Sequence, residues 1–163
     1  MTPDSILVLT TGGTIDKQYF DALSEYQVGE TTIARLLEIA RVTLPFTIQE
    51  IARKDSLELD DGDRARLVAA ARAADTNHIV VTHGTDTMTV SAAALAEVPG
   101  KTIVLVVALA PARFTESDAA FNLGMAFATA QVAPPGVYIT MNGTVFPAAQ
   151  VVKDRARGAF IRT

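Results

Sequence analysis

The stretch ILVLTTGGTID, residues 6–16, joins a run of four apolar residues to a segment of threonine and glycine. Ile6 to Thr10 has the composition of a strand that is buried on both faces, as in the middle of a parallel sheet. Gly12 and Gly13 allow the backbone to turn sharply and to approach a small ligand with its N–H groups. A Walker-type phosphate loop needs a following Lys-Ser or Lys-Thr pair and a dinucleotide fingerprint needs a third glycine, and the segment has neither. It therefore predicts either a ligand-binding turn or a simple tight turn.

Short apolar segments alternate with longer alanine-rich ones along the rest of the chain, which is typical of a parallel sheet covered by helices. Strands are predicted near Ile6 to Thr10, Phe46 to Ala52, His78 to Thr82, Thr102 to Ala108 and Gly136 to Met141. Helices are predicted from a Thr31 cap to Ile39, from Asp60 or Asp61 through Ala71, from Thr85 to Leu95 and from Ser117 to Gln131. The fold class is therefore α/β, a doubly wound and mainly parallel flavodoxin-like sheet with helices on both faces. The leading strand order is 2-1-3-4-5.

Two connections fall outside this alternation. Residues 16–30, between the first strand and the first helix, lack strong periodicity, and a connection of that length is often a functional lid. The tail from residue 142 onward carries a possible short hairpin around Phe146-Pro147.

The predicted strand order places a ligand site between the first and third strands, because ligands bind beyond the carboxyl ends where the order reverses. Those ends carry TTGGTID (10–16) and VTHGTDTM (81–88). We expect Thr14 and Thr85 to face each other across this crevice, where two hydroxyls beside the Asp86 carboxylate could perform acyl transfer. Alternatively, Thr85 or Asp86 could serve only as the N-cap of the following helix.

A threonine nucleophile needs a base, because its hydroxyl attacks poorly until the proton is removed. Of the two histidines, His78 begins the third strand at the wrong end of the sheet. His83 lies at the right end, where positioning the backbone competes with catalysis as its role. Lysine can also act as a base, since desolvation lowers its pKa. Lys153 has apolar neighbours in VVKD (151–154), although an exposed tail lysine would fit the same context.

Composition limits the function classes. A chain of 163 residues with 49% hydrophobic and 20% charged residues can fold as one packed domain. A net charge of −4 gives no excess positive charge for nucleic acid, and the absence of cysteine excludes disulfides, thiolate metal sites and a cysteine nucleophile. The longest apolar stretch, Ile103 to Pro111, is too short for a membrane helix, and the amino terminus does not resemble a signal peptide. We expect a soluble cytoplasmic protein with one domain, 1–163, that binds neither nucleic acid nor membrane.

Four motifs carry a family resemblance: TGGTI (11–15), YQVG (26–29), HGTDTM (83–88) and VVK (151–153). Further matching pieces are Asp55-Ser56, Ser117-Asp118, Asn122-Leu123 and residues 137–142. Over nearly its whole length the chain resembles the amino-terminal domain of bacterial-type L-asparaginases, and the two threonine motifs in this order are specific together. The resemblance implies an amidohydrolase that converts L-asparagine and water to L-aspartate and ammonia, with no cofactor and no metal.

The resemblance also implies individual roles. Thr14 matches the family nucleophile, which forms an acyl-enzyme ester, and Tyr26 matches the lid tyrosine that contacts it. Thr85, Asp86 and Lys153 match the second catalytic group, in which the lysine favours deprotonation of the threonine. The positions that match substrate-binding residues are Gly13, Asp55, Ser56, Gly84, Thr85, Asp86 and Ala108.

The chain departs from the family pattern in length and at three positions. Familiar members carry a second, carboxyl-terminal domain, so the resemblance implies a short-chain member that completes its site as a homodimer or homotetramer. Val107 stands where the family has glycine and could crowd the crevice, and Val152 and Asp154 replace threonines beside the lysine. The alternatives are a preference for glutamine or another small amide, a non-catalytic asparagine- or aspartate-binding module, and an amidotransferase subunit.

Overall fold

A six-stranded sheet forms the centre of the computed structural model, which describes residues 5–163. The strands, in chain order, are β1 (Ile6–Gly12), β2 (Lys17–Phe20), β3 (Glu25–Val28), β4 (Phe46–Lys54), β5 (His78–Thr82), β6 (Thr102–Val106), β7 (Gly136–Met141), β8 (Thr144–Pro147), β9 (Val151–Asp154) and β10 (Ala159–Arg162). The α-helices are α1 (Ile33–Ile39), α2 (Asp61–Ala73), α3 (Met88–Leu95) and α4 (Ala119–Val132). Within the described residues, no helix is long and apolar enough to cross a membrane.

The central sheet has the order β4-β1-β5-β6-β7-β8. Its first five strands are parallel, and β8 pairs antiparallel with β7 at the edge. Numbered among the five predicted strands, the parallel part has the order 2-1-3-4-5, so the predicted fold class and order are confirmed. β1 has β4 on one side and β5 on the other. The strand order therefore reverses between β1 and β5.

The central strands β1, β5 and β6 are mostly apolar on both faces because helices cover both. In β1, Leu7 and Leu9 belong to one core cluster, with side chains of α2 and α3. Ile6 and Val8, which alternate with them, belong to a second cluster with side chains of α1 and α4. Because successive side chains of a strand point to opposite faces of the sheet, one apolar run contributes to both core clusters.

Two helices begin later than the sequence predicts. α3 begins at Met88 rather than Thr85, and its N-cap position is Thr87, without a side-chain cap bond. The N-cap interpretation of Thr85 and Asp86 is therefore wrong; their side chains bind a lysine, as described below. α4 begins at Ala119, where the Ala119 N–H donates to the Ser117 hydroxyl at 3.0 Å.

Three hairpins account for the segments without predicted structure. Residues 16–30 contain an antiparallel pair, β2 and β3. Phe146 and Pro147, around which the sequence predicts a short hairpin, lie in β8, which forms an antiparallel hairpin with β7. The turn lies at Asn142 and Gly143, whose φ values of 51° and 81° suit a two-residue hairpin. β9 and β10 form the third pair.

Asp60, one of the two predicted caps of α2, is the N-cap and forms a reciprocal capping box with Asp63. The Asp63 N–H donates to Asp60 Oδ1 at 2.9 Å, and the Asp60 N–H donates to Asp63 Oδ2 at 3.0 Å. Lys54 also donates to Asp63, and this hydrogen bond holds the pKa of Asp63 down to about 2. The start of α2 is thereby joined to the end of β4.

We predict that Asp60→Ala lowers the free energy of unfolding by about 1 kcal/mol, because the first turn of α2 loses its acceptor. The matched control is Asp61→Ala, which removes a neighbouring carboxylate that lies 3.8 Å from Arg64 on the helix surface. Its cost should be about 0.5 kcal/mol or less. Urea unfolding of both variants measures the difference, and equal losses would contradict the assigned cap.

Candidate active site

The two threonine motifs meet through their backbones. Gly13, which follows β1, has a φ of 87°, and a Cβ at this position would lie 2.6 Å from the Gly84 nitrogen. A Cβ on Gly84 would in turn lie 2.7 Å from the Ser56 Cβ and Oγ. Glycine at both positions therefore lets the segments after β1, β4 and β5 touch without an intervening side chain. The place predicted for the crevice, between the carboxyl ends of β1 and β5, is at this junction.

Thr14 begins a single 3-10 turn, Thr14–Asp16, directly after the junction. Ile15 and Asp16 are buried, whereas Thr14 is only partly buried. The Ile15 carbonyl accepts the Ala112 N–H at 2.9 Å, and the Asp16 carboxylate accepts the Thr32 N–H and hydroxyl at 2.8 and 3.0 Å. Burial raises the pKa of Asp16, although its bonds to Thr32 oppose the rise. The residues after Thr14 thus fix its position and leave it partly accessible.

Lys153 reaches the second threonine motif from β9. Its Nζ donates to Thr85 Oγ1 at 2.8 Å and to Asp86 Oδ1 at 2.9 Å. Val151 and Phe160 are buried in the core, which anchors the β9–β10 hairpin and directs Lys153 to this position. The structure therefore brings together three of the residues that the resemblance assigns to catalysis.

Ser56 lies against the same loop from the other side. The Asp86 N–H donates to Ser56 Oγ at 3.2 Å, and the Thr87 hydroxyl donates to the Ser56 carbonyl at 2.7 Å. Asp55 precedes it and forms an ion pair with Lys17 at 2.9 Å. Burial raises the pKa of Asp55, but the bonds from Lys17 and from backbone N–H groups outweigh it, so the net pKa is lowered. Both predicted substrate-binding positions thus adjoin the crevice.

Ala108, the remaining predicted position, is buried just beyond the end of β6. The residue before it, Val107, is fully buried and belongs to the core cluster on the α2 and α3 side. The expectation that Val107 could crowd the crevice is therefore wrong, because its side chain packs into the core. The Asn122 amide donates to the Val107 carbonyl at 2.9 Å and fixes this segment.

The Tyr26 ring lies in an aromatic group that sequence reasoning missed. Tyr19 and Tyr26 are directly opposite each other in the β2–β3 hairpin, with ring centroids 5.3 Å apart. Phe114 contacts Tyr26 edge-on at 5.9 Å from the segment before α4. Period-two pairing within the hairpin could have indicated Tyr19, but no local signal indicates Phe114. Phe114 is therefore one contact between the β2–β3 hairpin and the rest of the molecule, and the Lys17–Asp55 ion pair is another.

His83 is fully buried, so its imidazole does not reach the crevice. Nδ1 lies 2.8 Å from the Gly84 carbonyl oxygen and Nε2 lies 2.7 Å from Ser91 Oγ. Burial lowers the pKa of His83 to about 4. Of the two roles considered for His83, positioning of the backbone is the one consistent with this environment. His78 lies at the opposite end of β5, where its Nδ1 approaches the Ala130 carbonyl oxygen at 2.6 Å.

The family model for the asparaginase N-terminal domain matches residues 5–160, which include both threonine motifs and Lys153. The chain belongs to the asparaginase family. A probable periplasmic L-asparaginase of Haemophilus influenzae is 31% identical over 160 residues, an alignment that covers 91% of this chain and 46% of the relative. The family predicted from the motifs is confirmed.

Solved structures of L-asparaginases share the fold of this asparaginase-family chain. The thermostable enzyme of Thermococcus kodakarensis superposes with a TM-score of 0.83 at 28% identity, covering 97% of this chain and 51% of that one. L-asparaginase I of Vibrio cholerae superposes with a TM-score of 0.81 at 28% identity, covering 98% of this chain and 51% of that one. A probable cytoplasmic L-asparaginase of Campylobacter jejuni superposes with a TM-score of 0.76 at 29% identity, covering 96% of this chain and 51% of that one. The chain thus spans about half the length of these relatives. Their names include both periplasmic and cytoplasmic proteins, so the cytoplasmic location of this chain stays a prediction.

We predict that the asparaginase-family chain loses stability as the pH falls from about 6.5 towards about 4, because His83 binds a proton in the unfolded state before it does so in the folded state. The contribution at pH 4 is on the order of 3 kcal/mol. Denaturant unfolding at pH 7 and pH 4.5 measures it in the wild type and in His83→Gln. The variant should lose less stability between the two pH values, and an equal loss would refute the prediction.

Phe114→Ala should loosen the β2–β3 hairpin of this asparaginase-family chain, because Tyr26 loses its edge-on partner. We expect faster amide hydrogen exchange over residues 17–28 and little change elsewhere. Phe121→Ala is the control, since this exposed phenylalanine lies on α4. Unchanged exchange in Phe114→Ala would show that the aromatic contact does not hold the hairpin.

Proposed function

We propose that this chain hydrolyses L-asparagine to L-aspartate and ammonia, with Thr14 as the nucleophile. The observation that carries the proposal is the pair of bonds from Lys153 Nζ, at 2.8 Å to the Thr85 hydroxyl and 2.9 Å to the Asp86 carboxylate. An ammonium group bound to a hydroxyl oxygen stabilises the deprotonated form of that hydroxyl. The arrangement therefore supplies what a threonine nucleophile lacks, a route for its proton.

In the proposed first step, the Thr14 Oγ attacks the side-chain amide carbon of asparagine. Its proton passes to Thr85, which is deprotonated beside the Lys153 ammonium group, and then from Thr85 to the leaving nitrogen, which departs as ammonia. The negative charge that develops on the carbonyl oxygen is stabilised by backbone N–H groups near Gly13 and Thr85. Thr14 is left as an aspartyl ester.

In the second step, a water molecule attacks the ester carbon and gives one proton to Thr85. The bond to Thr14 Oγ breaks, the threonine recovers its proton, and aspartate leaves. Asp86 is the proposed partner of the substrate α-ammonium group, and Ser56 is the proposed partner of its α-carboxylate. Tyr26, on the lid, encloses the site and excludes bulk water.

Two alternatives share this site. Glutamine or another small amide would be hydrolysed by the same protein groups, and only the fit of the substrate side chain in the site would differ. A non-catalytic module that binds asparagine or aspartate, or an amidotransferase subunit, would use only the substrate-binding part of the site. Such a module would need Asp86 and Ser56 but would have no use for Lys153 at the Thr85 hydroxyl. The position of Lys153 therefore favours catalysis.

We predict that purified protein releases ammonia from L-asparagine and that Thr14→Val lowers kcat at least about 10³-fold, whereas Thr14→Ser retains measurable turnover because the hydroxyl remains. An ammonia assay with L-asparagine, L-glutamine and D-asparagine measures rate and substrate preference. Ammonia release by Thr14→Val at the wild-type rate would exclude Thr14 as the nucleophile. Calorimetric binding of aspartate without ammonia release would favour the binding module.

Lys153→Met should lower kcat more than about 100-fold, because Thr85 loses its cation. Arg155→Met is the matched comparison, since Arg155 lies 3.6 Å from Asp86 and its side chain is mostly exposed. If Lys153 acts through Thr85, Arg155→Met should change kcat much less than Lys153→Met. Similar losses would indicate that only the charge near Asp86 matters.

We further propose that copies of the chain associate as a homodimer or homotetramer beside the crevice. Large apolar side chains adjoin the site and are exposed: Leu57, Leu109, Phe114 and Tyr26. Such a group marks a surface that another protein covers. Light scattering of the purified chain and of Leu109→Lys should show an oligomer that the variant weakens, and a monomeric wild type would refute the association.

A further inference from the structure

A buried chain of hydrogen bonds ends at the loop that carries Thr85. His83 has no exposed surface, and its backbone N–H donates to the Val106 carbonyl at 3.1 Å. One ring nitrogen lies at the Gly84 carbonyl and the other at the hydroxyl of Ser91, which is also fully buried. Arg64 Nε approaches the same Ser91 hydroxyl at 3.2 Å. The four groups come from α2, α3 and the end of β5.

The groups at the two ends of this series of hydrogen bonds determine which atom donates and which accepts in each bond. Arg64 can only donate, so the Ser91 oxygen accepts from it. The Ser91 hydroxyl carries one proton, which it donates to Nε2 of His83. Nδ1 must then carry the ring proton and donate it to the Gly84 carbonyl, which can only accept. The contacts thus select one neutral tautomer of His83.

Arg64 also connects this chain to the segment that contains Ser56. Its NH1 donates to the Leu59 carbonyl at 3.2 Å, and Leu59 directly follows the 3-10 turn Ser56–Glu58. Most of the Arg64 side chain is shielded from solvent. One guanidinium group therefore holds both the segment after β4 and, through Ser91 and His83, the segment after β5.

The Gly84 carbonyl belongs to the same peptide group as the Thr85 N–H. A trans peptide is planar and its C=O and N–H point in opposite directions, so a fixed carbonyl fixes the N–H on the opposite side. The N–H consequently points away from the buried imidazole. Rotation of this peptide would turn both the N–H and the start of the Thr85 side chain.

We propose that His83 is a positioning residue, whose Nδ1–H, oriented by Ser91 and Arg64, holds the Gly84 carbonyl so that Thr85 presents its N–H and hydroxyl to the substrate. The inference rests on the proposed function of Thr85. Burial, with the Arg64 charge as a further cause, keeps the pKa of His83 low, which agrees with the neutral ring that the contacts require.

Two substitutions of His83 separate positioning from packing. An asparagine amide nitrogen can take the place of Nδ1, whereas a glutamine amide reaches the place of Nε2. We expect His83→Asn to stay within about threefold of the wild-type kcat and His83→Gln to lose about tenfold to 100-fold, with KM for asparagine changing less than kcat. A packing role predicts the reverse, since asparagine leaves the larger cavity. Equal or reversed losses would overturn the proposal.

The tautomer provides a readout that does not depend on activity. The chain has two histidines, so ring ¹⁵N signals of the full chain are assigned with a His78→Gln variant. We expect the Nδ1–H tautomer at pH 7, and a weaker preference in Ser91→Ala, in which only the Gly84 carbonyl still selects the proton on Nδ1. An Nε2–H tautomer would refute the hydrogen-bond order even in an active enzyme.

A protein that releases no ammonia would remove the proposed function but leave the positioning testable. In that case the Thr85 amide ¹⁵N shift replaces kcat as the measured quantity. It should move in His83→Gln and stay near its wild-type value in His83→Asn. A shift of the same size in both variants would overturn the positioning role.

Discussion

The constraint on which the site depends is the backbone contact of Gly13 with Gly84. A side chain on Gly13 would collide with the Gly84 nitrogen, and one on Gly84 would collide with Ser56. Because β1 lies between β4 and β5 in the sheet, the segments that follow these three strands start out as neighbours. The two glycines reduce their separation to backbone contact. Thr14, Ser56 and Thr85 can adjoin one crevice only because nothing larger stands between these segments.

The core and the place of the site could be predicted because their signals are local. The apolar run of β1 supplies both clusters of the core, and strands of that kind lie inside parallel sheets. Asp60, three residues before Asp63, indicates a helix start without any tertiary knowledge. Once the strand order was predicted, the rule that ligands bind where the order reverses was enough to predict the place of the site.

The parts that could not be predicted depend on contacts between distant residues. The β2–β3 hairpin has no buried strand residue, so no buried face gives it a period, and its contacts with the rest of the molecule come from distant residues, Phe114 against Tyr26 and Asp55 against Lys17. α3 begins late because Thr85 and Asp86 bind Lys153, which lies 68 residues from Thr85 in the chain. The Asn142-Gly143 turn is different, since its local signal was present in the sequence.

Two chains of polar groups end at the same loop, and their chemistry differs. The buried chain begins at Arg64, a cation that does not lose its proton in proteins, and ends at a carbonyl, so its protons have one arrangement. The other joins Lys153, the Thr85 hydroxyl and the Asp86 carboxylate, and it contains the groups to which the proposed reaction assigns proton transfer. A proton can move in the second chain without disturbing the first. In the proposed reaction the loop can therefore keep its shape, because only one of its two hydrogen-bonded sides is assigned a part in proton transfer.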